Sequence, residues 1–238
     1  DPSLPPVLAG SHLDTQSPGG KFDGPLGVLG ALAAVRALNA AGRTTRRAIE
    51  VVNWTNEEGA RFSPGLMGSA VFAGVVPLET AYATVDRGGV AFGQELDRIR
   101  NKGPVPVGGR AVDSYLELHI EQGPLLEEAG ITIGAVTHSH FSLMADVTCH
   151  GENAHIQSMP MLRRRNALVG AARLIAEIDR IGRAYAPEGS ASAVTIDLWP
   201  NNRINIPHRV VLGYGLIHPD DAGLDAMAAA VDAAAQAI

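Results

Sequence analysis

The stretch Gly10–Val28, GSHLDTQSPGGKFDGPLGV, places a His and two Asp among glycines, close to the start of the chain. It is entered through PVLAGSH (6–12), a short apolar run ending at polar residues, as a buried strand does. It leaves into PLGVLGALAAVRALNAAG (25–42). There Leu26, Leu29, Leu32, Val35 and Leu38 recur at helical spacing and Gly42 offers a stop. Strand, polar loop and helix in that order are the opening unit of an α/β fold. AIEVVNWT (48–55) reads as a second buried strand, and GSAVFAGVVP (68–77) as a helix running to Pro77. Residues 86–110 are rich in Gly, Arg and Pro and read as mostly irregular. SYLELHIEQGP (114–124) alternates like a strand and stops at Gly123-Pro124. Strands alternating with helices predict a mainly parallel sheet with helices on both faces.

The texture changes near 137–140, and a domain boundary between 138 and 139 is expected. Beyond it, LMADVTCHG (143–151) alternates as a strand, and LRRRNALVGAARLIAEIDRIG (162–182) is a long amphipathic helix that Arg163-Arg164-Arg165 begins. SAVTIDLWP (192–200) and RVVLGYGLIH (209–218) are strands, and DDAGLDAMAAAVDAAAQAI (220–238) is a helix with Asp at its start. The order β-α-β-β-α predicts a small α+β domain resembling the ferredoxin-like type.

Bulk properties narrow the classes. The chain has 238 residues, 46% hydrophobic and 18% charged, enough for one large core or a core and part of a second. A net charge of -6 and a pI near 5.7 argue against a nucleic-acid partner. No apolar run approaches the ~20 residues that span a bilayer, so no membrane partner is expected. The single cysteine, Cys149, excludes an internal disulfide framework and fits a reducing, cytoplasmic compartment. The opening DPSLPPVLAGSHLDT has no initiator Met and no signal-peptide pattern, and reads as if the true N-terminus lies upstream.

Three short pieces carry candidate chemistry. His12 and Asp14 stand at i and i+2 at a strand end, where side chains share a face, and Asp23 follows in a Gly-flanked loop before the first helix. Alone, His-x-Asp is equally a polar loop at a strand end. In NWTNEEGARF (53–62), Glu57 and Glu58 are adjacent, and neighbouring carboxylates repel unless a cation or a shared proton relieves them. Alone, the pair is also a solvated turn. His119, on the apolar LELHIEQGP strand, would by itself be a satisfied core histidine. Together, four carboxylates and two imidazoles fall at the carboxyl ends of expected parallel strands or in the loops just after them, where open α/β sheets put their sites. Imidazole plus carboxylate suits Zn and also Mn, Co or Ni. Two successive Glu allow one to bind metal and the other to act as a base.

These residues resemble the M20 metallopeptidase superfamily. GGKFDGPLGV, NEEGARF and HIEQGP resemble in particular its amidase/hydantoinase/carbamoylase branch, which holds N-carbamoyl-L-amino acid hydrolases, allantoate amidohydrolases and β-ureidopropionases. The resemblance covers nearly the whole chain. It implies a zinc-peptidase-like catalytic domain, of which 1–138 is an N-terminal part, and a lid and dimerisation domain over 139–238, hence a homodimer. It implies two divalent metal ions bridged by Asp23, with His12, Glu58 and His119 as further ligands and Asp14 orienting His12. Glu57 would be the general base. His155, in GENAHIQSMPM (151–161), would polarise the scissile carbonyl, in cis or in trans. Gln122, and Asn205 in NNRINIP (201–207), would contact substrate. A cis peptide at Asp23-Gly24 is a further expectation.

The family completes its metal site with one more His near the C-terminus of the full chain. None of His138, His140, His150, His208 and His218 matches that position, so the sequence is expected to be part of a longer chain that supplies it. Many members also have an Arg before the His-Pro-Asp of LIHPDD (216–221), where it grips the substrate's carboxylate. Here that position is Ile217, which cannot replace a bidentate guanidinium; Arg203 or Arg209 could compensate. The loop HIQSMPM also lacks the small residues usual after the His. These departures point away from a standard N-carbamoyl-α-amino acid substrate. The expected function is therefore an amidohydrolase that cleaves a non-peptide C–N bond with metal-activated water. The alternatives are an M20 aminoacylase or dipeptidase and, in another class, a non-catalytic metal-binding or dimerisation protein.

Overall fold

The computed structural model describes residues 1 and 3–238, in two compact units, Asp1–Thr132 and Ile133–Ile238. In the first, β1 (Val7–His12) leads through the glycine-rich loop to α1 (Pro25–Ala40) and β2 (Ile49–Trp54). Three short helices follow: α2 (Met67–Phe72), α3 (Leu78–Ala83) and α4 (Phe92–Arg98). Then come β3 (Ser114–Leu116) and α5 (Leu125–Glu128). The sheet order is β2-β1-β3, all parallel, with His12 opposite Trp54 and Leu8 opposite Tyr115. The chain is thus mixed α/β with a parallel sheet. β1 is central, paired with β2 along its length and with β3 over residues 7–9, and Leu8, Gly10, Ser11 and His12 are buried.

α1 begins with Pro25, whose missing N–H costs nothing at a first helical position, and ends before Gly42 at φ +61°. Its buried residues are Gly27 and Ala31, while Leu29 and Leu32 are exposed. The small face meets β1 because the helix lies too close for a side chain: a Cβ on Gly27 would overlap the Cβ of Ser11. A second cluster, Phe62, Met67, Ala81 and Phe92, knits α2, α3 and α4, with Phe62 and Phe92 edge to face at 5.2 Å.

Two local expectations for this unit are corrected. The helix in GSAVFAGVVP ends at Phe72, because Gly74 takes φ +75° well before Pro77. Residues 86–110 are mostly irregular, as expected; within them the short α4 forms where Phe92 buries against Phe62. The strand in SYLELHIEQGP stops at Leu116, so its polar residues leave the ladder.

The second unit runs β4 (Phe141–His150), β5 (Ala154–His155), α6 (Ala167–Ala184), β6 (Ser190–Trp199), β7 (Asn205–Ile206), β8 (Arg209–His218) and α7 (Asp221–Ala237). β4, β8 and β6 form an antiparallel sheet in that order, and β5 and β7 a separate ribbon. Leu212, Tyr214 and Leu216 of central β8 pack with Leu174, Ile178 and Ile181 of α6 and Leu224, Met227 and Val231 of α7. Each such aliphatic burial stabilises by roughly 1.5–3 kcal/mol. Arg163-Arg164-Arg165 precede α6 and do not begin it. Met161–Arg163 form a single 3-10 turn, and the helix starts after Asn166, whose side chain caps the N–H of Leu168 at 3.0 Å. Among the described residues no helix is long and apolar enough to cross a membrane.

Candidate metal centre

β1 delivers His12 at its carboxyl end, 1% exposed. Nδ1 lies 2.8 Å from the carbonyl oxygen of Asp14. A carbonyl only accepts, so Nδ1 carries the hydrogen, and in the neutral ring Nε2 presents a lone pair. That nitrogen faces Asp23 Oδ1 at 3.8 Å and Glu57 Oε2 at 3.4 Å. His119, just beyond β3, repeats the device: Nδ1 is 2.8 Å from the carbonyl oxygen of Ile120, and Nε2 is 3.1 Å from Asp23 Oδ1. His12, Asp23 and His119 each bring one ligand atom to within 4.8 Å of the others.

Asp23 Oδ1 is buried with no hydrogen-bond partner among the described residues, whereas Oδ2 accepts from Gln122 Nε2. Two imidazole lone pairs and a bare carboxylate oxygen therefore converge. A proton would relieve one of these contacts; a divalent cation relieves all of them. The 3.1 and 3.8 Å separations bracket the about 3.3 Å edge of a tetrahedron with metal–ligand bonds of ~2.0 Å. The residues fit a metal ion.

The loop after β2 supplies the two glutamates. Asn56 adopts φ +54° and turns its buried amide onto the carbonyl of Phe62 at 2.7 Å, closing the loop on itself. Asp14 then grips the loop from β1: its carboxylate accepts the N–H of Glu57 at 3.2 Å and of Glu58 at 3.1 Å. His12 is thus oriented by the carbonyl of Asp14, while the Asp14 carboxylate, 3.9 Å from the ring, holds the glutamates. Burial pushes the Glu57 carboxyl up; His12 opposes this, and Glu58, Asp14 and Glu117 add to it. Glu58 stands apart from the three-residue cluster. Gln16 donates to its Oε2 at 3.1 Å, and its Oε1 is buried with no partner among the described residues.

Gly24 is required beside this centre. Its φ is +78°, and a Cβ there would collide with the His12 ring. The Asp23–Gly24 bond is trans, contrary to the cis peptide expected there, and the positive φ of Gly24 makes the turn into α1. Among the described residues, cis bonds occur only before prolines.

In the second unit, His155 and Asn205 are register partners across β5 and β7. His155 Nδ1 accepts the N–H of Gln157 at 3.1 Å, which leaves Nε2–H as a donor on an exposed ring. Asn205 Nδ2 donates to Asn153 Oδ1 at 3.0 Å. Ile217 sits in β8 opposite Ser142 and Ser190, and the Arg209 guanidinium is stacked over Trp199 at 3.9 Å. Sequence reasoning missed Gln16, Ser11, Tyr115 and Glu117. Only Glu117 left a trace, alternating with His119 in the strand-like run.

The profile of Peptidase family M20/M25/M40 matches residues 8–237, so the chain belongs to that family, whose enzymes are metal-dependent. It is 45% identical over 238 residues to an N-carbamoyl-L-amino-acid amidohydrolase of Rhizobium meliloti, covering 100% of this chain and 57% of that protein. It is 30% identical over 247 residues to an allantoate deiminase of Arabidopsis thaliana, covering 93% and 47%. A crystal structure of an amidase of the hydantoinase/carbamoylase family from Burkholderia vietnamiensis superposes with a TM-score of 0.95 at 46% identity, over 98% of this chain and 57% of that one. The chain spans about half the length of the curated relatives it matches.

Proposed function

We propose that the chain is the metal-binding and lid portion of an amidohydrolase that cleaves a non-peptide C–N bond, in an N-carbamoyl amino acid, a ureido compound or a related amide. The observation that carries this reading is the convergence of His12 Nε2, His119 Nε2 and the orphaned Asp23 Oδ1 beside Glu57. The activities named for the relatives support the substrate class.

His12, Asp23 and His119 would hold one divalent ion, and Glu58, with its own orphaned oxygen, would help to hold a second. Zinc is the first expectation, with manganese, cobalt or nickel behind it. When bound, the metal supplies Lewis-acid polarisation and a water of lowered pKa. Glu57 takes the proton of the attacking water and delivers it to the leaving nitrogen. A carboxyl raised by burial suits a group that must both accept and release a proton near neutral pH. His155 donates its Nε2–H to the oxygen that gains charge. Gln122 keeps its carbonyl and its second N–H for substrate while one N–H holds Asp23. With Ile217 apolar, Arg203 or Arg209, the latter stacked over Trp199 with its N–H edge free among the described residues, would meet a substrate carboxylate. The second unit would act as the lid and homodimerisation domain, and the protein would work in the cytoplasm.

The test uses the full-length protein. Bound metal per chain is measured, and then ammonia release from N-carbamoyl and ureido substrates, and freed amino acid from N-acetyl and dipeptide substrates, before and after chelation and re-addition of Zn, Mn, Co or Ni. Two metals per chain with metal-dependent ammonia release support the proposal. Turnover of acetyl or dipeptide substrates alone would make it an aminoacylase or dipeptidase. Absence of bound metal and of turnover would leave a non-catalytic protein.

A further inference from the structure

A side-chain network ties together the three strand ends that carry the metal centre. Ser11, 0% exposed and directly before His12, donates its hydroxyl to Glu117 Oε1. Tyr115 OH donates to Glu117 Oε2 at 2.6 Å and lies 3.3 Å from the carbonyl oxygen of Gly10. Trp54 Nε1–H in turn donates to Tyr115 OH at 3.0 Å. Trp54 is the register partner of His12 on β2, and Glu117 stands two residues before His119. β1 thus contributes Ser11, β2 contributes Trp54 opposite His12, and β3 contributes Tyr115, with Glu117 one residue past the end of β3 and two before His119.

We propose that Glu117 is a positioning residue: its carboxylate, bridging Ser11 and Tyr115, sets the separation of His12 and His119 and so the affinity and geometry of the metal site. A carboxylate meets the requirement with both oxygens, while Tyr115 has only the longer contact to the Gly10 carbonyl as a second acceptor. Both donors are hydroxyls, each needs an acceptor, and a carboxylate offers one oxygen to each; an amide offers a single acceptor and turns its NH2 to the other. Ser11 is fully buried, so losing its partner leaves a polar group without water to replace it. β3 is only three residues long and ends before His119, so the backbone ladder alone does not fix that ring. Glu117 keeps access to solvent, but both its oxygens are engaged. Burial and Glu117 push the Tyr115 hydroxyl well above its ordinary range, which keeps it a donor.

The inference rests on the metal reading of the same centre. The experiment uses full-length protein, with Zn2+ affinity measured by competition with a chromophoric chelator and site geometry read from the visible spectrum of the Co2+ form. E117Q is expected to weaken Zn2+ binding by at least tenfold and to shift the cobalt bands, in the 10–100-fold range seen when a residue supporting a ligand is lost. Y115F and S11A are expected to move both readouts the same way by less. The S11A/E117Q double variant is expected to be no worse than E117Q alone, since the two share one contact. E50Q, which breaks the remote Glu50–Arg110 pair, is expected to change neither. Wild-type affinity and an unshifted cobalt spectrum in E117Q would overturn the inference and leave the metal centre standing. An affinity loss in E117Q matched by E50Q would also overturn it. If E117Q does not fold, S11A and Y115F decide: wild-type readouts in both reject the role. Wild-type protein that binds no Zn2+ tightly would overturn the metal reading itself.

Discussion

At the scale of single residues, the centre is an arrangement of acceptors that repel one another until a cation joins them. Each histidine spends Nδ1 on a neighbouring carbonyl, which fixes the tautomer and aims Nε2 at Asp23. Burial pushes the Glu57 carboxyl up. Glu57→Gln in the full-length protein is expected to lower kcat by about 10²–10⁴-fold with metal content unchanged; steady-state assays beside metal analysis check it, and wild-type turnover would remove the base role. Gly24→Ala is expected to cost about 1–3 kcal/mol, through a strained φ and the collision with His12, and to weaken metal binding. Thermal unfolding with and without added zinc measures both effects.

At the scale of elements, short helices hold the loop of the glutamates in place. Arg61, one residue before Phe62, binds Asp86 at 2.9 Å and Glu95 of α4 at 2.8 Å, and Arg98 binds Glu95 from the same helix. Arg98 and then Arg61 hold the Glu95 carboxyl down to about 2. A depressed acid contributes stability above its unfolded value, 4.5, and loses it as pH falls through its folded value. Glu95→Gln is therefore expected to lower the unfolding temperature at pH 6 and to match the wild type near pH 2. The difference should shrink in high salt, because the guanidinium partners Arg61 and Arg98 are exposed. A pH series of melting curves checks the sign. The elements also show where periodicity misleads: the leucines of α1 keep helical spacing, yet Gly27 and Ala31 are what the helix buries.

At the scale of the whole molecule, the two units have separate cores, one among the short helices α2, α3 and α4, the other between α6, α7 and β8. Only the first holds the His12–Asp23–His119 cluster. A ligand bound to the native state alone stabilises by about 2.7 kcal/mol at a hundred times its dissociation constant. Chelation of the full-length protein is expected to loosen β1, the loop to α1 and the glutamate loop, and to leave the β4-β8-β6 sheet unchanged. Hydrogen exchange followed with and without chelator resolves the two regions; equal loss in both would contradict this placement.

The alternation of strands and helices, the parallel sheet and the family were legible in the chain, because strand-end polar clusters and apolar periodicity are local patterns that every residue carries with it. So were the candidate ligands, since HLD, FDG, NEEG and HIEQG each stand at a strand end or in the loop after it. What needed the tertiary structure was the division of labour among them. Whether Asp14 meets a ring or two backbone N–H groups, whether Gln122 faces Asp23, and whether Ser11 finds Glu117 all depend on groups separated by tens of residues meeting at distances near 3 Å. Hydrogen bonds fail over a few tenths of an ångström, and spacing along a chain has no such resolution. The short helix α4 was hidden for a related reason: it exists because Phe92 finds Phe62, a contact set by packing and not by the local pattern.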